Sequence, residues 1–177
     1  DVARAAADLW RAKRWREASE HLSMALENRW PEESQADIYF GLADSYAHLG
    51  KPRQAFWHAL AYLHVSRKQP PESWIKGLRG VAGLLALQPA NVEPAAEELA
   101  RRWRQAAQAS RWDEALTALR RLTQEAPWAP EYQEAVAATY EKLGWNALGA
   151  VWRLRAARTR AIAADVDLQQ RLAEMTR

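Results

Sequence analysis

Four histidines, His21, His48, His58 and His64, come first among residues able to do chemistry, because imidazole both binds metals and moves protons near neutral pH. None belongs to a His-Glu-x-x-His pair and the chain has no cysteine, so neither a helical zinc motif nor a thiolate site is present in the sequence. No Gly-x-Ser-x-Gly elbow, phosphate loop or kinase motif occurs, which removes the common routes to acyl and phosphoryl transfer. The glycine-rich run from Gly77 to Gly83 has neither the spacing nor the preceding strand of a dinucleotide loop. Carboxylates are plentiful, yet nothing pairs them into an acid and a base. These residues point to a non-catalytic chain that needs no metal or cofactor.

Charge and aromatic residues offer the remaining chemistry. No acidic residue falls between Glu141 and Asp165, while Lys142, Arg153, Arg155, Arg158 and Arg160 give that stretch a charge of +5, a patch able to meet an anionic surface. No aromatic stripe interleaves it for base stacking, and Arg158 and Arg160 suit a helix C-terminus. Over the chain the charges are evenly mixed, with 12 basic and 10 acidic residues up to position 88 and 13 and 12 beyond it. A nucleic-acid partner is therefore not expected. The longest uncharged stretches, Gln54 to Ser66 and Val81 to Val92, hold 13 and 12 residues, short of the roughly 18 apolar residues a membrane span needs.

The elements that must position these residues follow from composition. The 177 residues include 37 Ala and 20 Leu against 7 Val and 3 Ile, which favours helices over strands. Prolines and glycines punctuate the chain at Trp30-Pro31, Gly50 to Pro52, Pro70-Pro71, Pro89 to Pro94, Pro127 to Pro130 and Gly144. Between them the pattern predicts ten helices: 2–12, 15–28, 34–48, 52–67, 72–87, 94–109, 112–125, 129–143, 145–160 and 164–175. Their short connections require antiparallel hairpins. The beginning at Asp1 lacks a secretory signal pattern, so the chain reads as a processed form or an excised piece. Arginine exceeds lysine 20 to 5, a usage associated with GC-rich bacterial genes, and the composition does not separate periplasm or cell envelope from cytoplasm.

The blocks recur in register. Arg14-Trp15-Arg16-Glu17-Ala18 returns as Arg111-Trp112-Asp113-Glu114-Ala115, each with a leucine four residues after the alanine. Leu49-Gly50 followed by Ala55 returns as Leu143-Gly144 followed by Gly149, with Tyr46 and Tyr140 four residues before each turn glycine. Ala115 and Gly149 lie 34 residues apart, with Pro127 and Pro130 between them. On these residues the sequence resembles the tetratricopeptide repeat (TPR) family. The resemblance implies a single all-α domain over 1–177, a right-handed superhelix (α-solenoid) of antiparallel hairpins. Its repeats are placed near 1–30, 34–67, 96–129 and 130–161, followed by a capping helix at 164–176. It also implies close crossings where Ala6, Ala43 and Ala137 on first helices meet Ala18, Ala55, Ala115 or Gly149 on second helices, and a core role for Trp15, Trp74 and Trp112.

Two departures from the pattern generate expectations of their own. Trp103 stands where a small residue belongs, so that crossing is expected to be wider. The helix at 72–87 carries Trp74, Gly77 and Pro89 at the spacings of Trp112, Ala115 and Pro127, so it reads as an unpaired second helix. Its Gly77, Gly80 and Gly83 stripe is expected to seat a neighbouring helix closely.

Carrying the family's groove positions over gives Trp10 in the first repeat and Asp37, Phe40, Asp44 and His48 in the second. The third supplies Glu97, Arg104 and Gln108, and the fourth Glu131, Glu134 and Glu141. With Arg11 and Lys142 these positions hold six acidic against three basic residues. The function the resemblance implies is protein interaction, with a basic or amphipathic peptide or helix of a partner protein laid in the groove. The alternative is a structural spacer within a larger bacterial secretion or cell-envelope protein, without a ligand of its own.

Overall fold

Alanine and leucine repeating every three to four residues, with proline at several starts and few β-branched residues, favour helix over strand. The computed structural model describes residues 2–28, 35–66, 72 and 94–175. Among them are nine α-helices and no strand: α1 (Val2–Arg11), α2 (Trp15–Asn28), α3 (Ala36–His48), α4 (Pro52–Ser66), α5 (Pro94–Gln108), α6 (Trp112–Glu125), α7 (Pro130–Lys142), α8 (Asn146–Ala164) and α9 (Val166–Met175). Of the helix expected at 72–87 only Glu72 is described; its glycine stripe, Trp30 and Trp74 lie outside the described residues. No described helix is long and apolar enough to cross a membrane.

The α8 helix runs to Ala164 rather than ending near 160, because nothing from Ala161 to Ala164 breaks it. Asp165 then restarts the chain: its carboxylate accepts the Leu168 backbone N–H at 3.0 Å, satisfying one of the orphan donors at the start of α9.

Four of the connections share one geometry. In each, a residue with positive φ ends the first helix: Lys13 (58°), Gly50 (68°), Ser110 (56°) and Gly144 (81°). The N–H of that residue donates to the carbonyl three residues earlier, and the next N–H donates five residues back. The second bond runs Arg14 to Leu9, Lys51 to Tyr46, Arg111 to Ala106 and Trp145 to Tyr140, at 3.0, 2.9, 2.9 and 2.8 Å. This paired arrangement is the Schellman motif. Five residues after the positive-φ position comes Ala18, Ala55, Ala115 or Gly149, and all four are buried. Glycine fits the left-handed turn without strain, whereas Lys13 and Ser110 hold a conformation that costs an L-residue about 1 kcal/mol or more.

Contacts divide the chain into two compact units, Asp1–Pro89 with Asp165–Arg177, and Ala90–Ala164. In the first, α1 packs on α2, α2 on α3 and α3 on α4, and α9 lies against α4. Nine of the fifteen residues of α4 are buried, because it is covered by α3 and α9. Leu168 and Leu172 are the residues α9 buries. The crossing residues Ala6, Ala18, Ala43 and Ala55 are fully buried, and α3 approaches α2 so closely that a Cβ on Gly41 would lie 2.8 Å from Leu22 Cδ1.

In the second unit, α5 packs on α6, α6 on α7 and α7 on α8. Its core joins Ala96, Ala100, Leu116, Leu119, Leu122, Val136, Ala137, Tyr140 and Trp152. At the α7–α8 crossing a Cβ on Gly149 would sit 3.1 Å from the Ala137 carbonyl oxygen, which is why the smallest residue is found there. In α5 the buried small residues are Ala96, Ala100 and Ala106. Trp103 stays half-buried and meets Tyr132 edge to face at 6.2 Å. Gln133 ties this unit together: its side-chain amide donates to the Pro127 carbonyl at 3.1 Å, and its oxygen accepts the Thr159 hydroxyl at 2.9 Å. A buried amide with both ends engaged stabilises, whereas one left unpaired is costly.

One buried group makes the first unit sensitive to acid. His58 stacks on Tyr46 at 5.4 Å and on Tyr39 at 6.1 Å, and its Nδ1 has no hydrogen-bond partner among the described residues. Burial lowers its pKa from 6.5 to about 3.

Two outcomes follow. Ser110→Gly should relieve the left-handed strain and stabilise the second unit by about 0.5–1 kcal/mol, read from urea melts at constant m. Because the unfolded chain binds the His58 proton below pH 6.5 and the folded one does not until about pH 3, the His58 contribution is complete above pH 6.5 and falls with acid. The loss amounts to about 2 kcal/mol between pH 7 and pH 5. His58→Phe should flatten that part of the stability profile, and an unchanged slope would remove His58 as its cause.

Candidate functional site

In the first unit, helix α3 repeats its side chains every fourth residue, so Phe40, Asp44 and His48 share one stripe. Trp10, near the end of α1, lands on that stripe, and its indole N–H donates to Asp44 Oδ2 at 2.9 Å. Its ring meets Phe40 at 6.2 Å and 62°, and Trp15 at 6.4 Å and 74°. Phe40 in turn meets Tyr62 of α4 at 6.0 Å and 61°. His48 lies flat on Trp15 with centroids 4.0 Å apart. Its Nδ1–H donates to the Asp44 carbonyl at 2.9 Å and stands 3.6 Å from Asp44 Oδ1. Trp10, Trp15, Phe40, Asp44 and Tyr62 are each half-buried, so the cluster is packed on one side and open on the other. Asp37 is exposed in the first turn of α3, where a carboxylate complements the helix dipole.

In the second unit Glu97, Arg104 and Gln108 are exposed on α5, and Glu131 is exposed on α7. Glu131 and Arg104 both act on Tyr132, whose hydroxyl pKa is raised chiefly by burial and then by Glu131. Glu134 and Glu141 are not free groove charges. Arg153 of α8 donates to both oxygens of Glu141 at 2.9 Å, and Arg160 donates to Glu134 at 2.5 Å. The hydrogen bond from Arg153 holds the Glu141 carboxyl below its usual range. These pairs engage two of the five cations between Lys142 and Arg160 with acids of the preceding helix. Exposed pairs of this kind contribute little stability, but they remove two of the six expected acidic groups from the surface field.

The structure therefore joins four of the sequence-expected residues, Trp10, Phe40, Asp44 and His48, and adds two that the groove reading passed over, Trp15 and Tyr62. Tyr62 lies two helical turns after Ala55 on the face turned to α3, a spacing that identifies it once α4 is known to pair with α3. A cleft of about 520 Å³ in the second unit, lined by Leu99, Arg102, Arg111, Thr117 and Arg121, was not indicated by any motif. Two of its arginines are engaged locally, Arg102 by Glu98 at 2.8 Å and Arg111 by Glu114 at 2.7 Å. Among the described residues no three His, Asp or Glu side chains are grouped to hold a metal ion.

No family model matches the chain, and neither the curated proteins nor the solved structures contain a match to it.

Removing the Asp44 acceptor tests how far the cluster depends on it. Asp44→Ala leaves the part-buried Trp10 N–H unpaired and should destabilise the first unit by about 1 kcal/mol in denaturant melts. Asp44→Asn keeps an oxygen in place and should cost less than half as much.

Proposed function

We propose that the chain is a non-catalytic interaction module built of TPR-type hairpins in an α-solenoid, which binds a basic or amphipathic segment of a partner protein. The observation that carries this reading is the convergence of Trp10, Phe40, Asp44 and His48 from α1 and α3 into one half-open cluster. They are four of the positions that the TPR resemblance assigns to a ligand groove. The four equivalent Schellman turns, each five residues before a buried small side chain, support the repeat reading. Aromatic residues at a partly dry surface are the side chains that most often carry binding energy, and Asp37 and Asp44 supply the charge that attracts a basic segment. A spacer role is the second reading, favoured by the second unit, where Glu134 and Glu141 spend their charge on α8 rather than on a ligand.

The test is a peptide-display selection against the whole chain, followed by titration of the recovered peptides. Phe40→Ala should weaken binding at least tenfold, about 1.4 kcal/mol. Asp37→Lys and raised salt should each slow association, since exposed charges are screened beyond about 10 Å at 0.1 M. Peptides whose affinity is indifferent to all three changes would place recognition elsewhere and favour the spacer.

A further inference from the structure

His48 is the one histidine of the half-open cluster, and its surroundings make its charge part of the site. Its ring lies flat on Trp15, with centroids 4.0 Å apart and planes 17° from parallel. Its Nδ1–H donates to the Asp44 carbonyl at 2.9 Å and stands 3.6 Å from Asp44 Oδ1, while its side chain is 48% exposed. Asp44 Oδ2 is committed to the Trp10 indole. A second proton, on Nε2, needs no rearrangement: the ring keeps its bond to the carbonyl, and the new charge rests on the face of Trp15 beside the Asp44 carboxylate. Imidazole is the side chain that gains this charge between about pH 8 and pH 5. The other histidines, all on helices packed against α3, are turned to partners of their own. His21 of α2 meets the Glu17 carbonyl at 2.9 Å, and His64 of α4 stands 3.9 Å from Asp165. His58 of α4 is buried against Tyr39 and Tyr46 and takes no proton until about pH 3. Carboxylate, lysine and arginine side chains barely change charge over this range. Asp8 of α1 and Glu17 at the start of α2 are in addition paired, with Arg11 and Arg14.

We infer that His48 is an acid-sensitive regulator of the cluster: protonated, it offsets the charge of Asp44 and weakens the hold on a basic segment. This rests on the peptide-binding reading above and adds the regulation of that same site. The sign follows from the charges. With His48 neutral, the stripe of Phe40, Asp44 and His48 carries the single negative charge of Asp44, which attracts a cationic side chain. With His48 protonated, a positive and a negative charge stand side by side on one turn of α3, and an approaching cation meets no net field from them. Asp37, in the first turn of the same helix, keeps its charge, so acid weakens binding without abolishing it. The indole beneath the ring favours the protonated form, since an aromatic face attracts a cation. Raised salt reduces the difference between the two states, because both charges are partly exposed.

The experiment uses the whole chain, ¹⁵N-labelled, with the Trp10 indole N–H assigned by comparison with Trp10→Phe. Without peptide, that signal reports the charge beside its acceptor, Asp44. It should move along a single titration curve between about pH 8 and pH 5. His48→Gln should abolish the movement, whereas His21→Gln and His64→Gln should leave it in place. Basic peptides recovered by display and containing no histidine are then titrated at both ends of that range in low salt. For the unaltered chain the affinity should fall about threefold in acid, the factor that one added charge roughly 6 Å away produces in water. For His48→Gln it should stay at the neutral-pH value throughout. A Trp10 signal indifferent to pH, or an equal acid loss in His48→Gln, overturns the inference. Peptides that lose affinity with Phe40→Ala yet bind equally at both ends of the range leave the groove standing and remove the regulator. Peptides indifferent to Phe40→Ala that leave the Trp10 signal unmoved remove both.

Discussion

Everything described in this chain hangs on a turn of three residues in which the second has a positive φ. That conformation reverses the chain within one helical diameter and pairs the last carbonyls of one helix with the first amides of the next segment. The two helices are then so close that only alanine or glycine fits where they cross. The same closeness fixes the rotation of each helix about its axis. With Ala43 and Ala55 both buried and α3 packed on α4, the stripe of Phe40, Asp44 and His48 is turned toward Trp10 of the neighbouring hairpin. The site is thus a by-product of the turn, and Trp10 belongs to both, since its carbonyl accepts the Lys13 N–H.

Periodicity made the helices legible because each has a strong local cause: a proline at the first position of α4, α5 and α7, and a glycine at two of the four turns. Lys13 and Ser110 carry no such mark. Their turns were readable only through the downstream Trp-x-x-Ala spacing shared by Trp15 and Trp112. Trp103 stands where the pattern wants a small residue, and α5 buries Ala96, Ala100 and Ala106 while the indole stays half-buried against Tyr132. The end of α8 was misjudged because alanines near 161 to 164 give no stop signal, and only the capping carboxylate of Asp165 does.

The candidate site was legible one helix at a time and illegible across helices. A spacing of four identifies residues on one face, and Phe40, Asp44 and His48 share one stripe of α3. Glu134 and Arg160 are 26 residues apart and Glu141 and Arg153 are 12 apart, and no local rule connects them. Charge counted along the sequence therefore overstated both the acidity of α7 and the basicity of α8. The aromatic cluster suffered the opposite error. The groove positions carried over from the resemblance include Trp10 but not Tyr62, whose contact with Phe40 depends on α4 lying beside α3.

The first unit is not continuous in sequence: α9 completes it against α4 only after the whole of the second unit has been spelled out. During synthesis α4 therefore waits for its last neighbour. Between Ser66 and Val166 lie 99 residues, and at ordinary elongation rates of about 5–20 residues per second the delay is roughly 5–20 s. The second unit, whose helix pairs are all neighbours in sequence, can be complete within that interval. Its assembly order runs backwards relative to the ribosome: the segment made first is finished last. A nascent chain with the flank of α4 uncovered presents apolar surface for seconds, and it is in this window that a chaperone has something to hold.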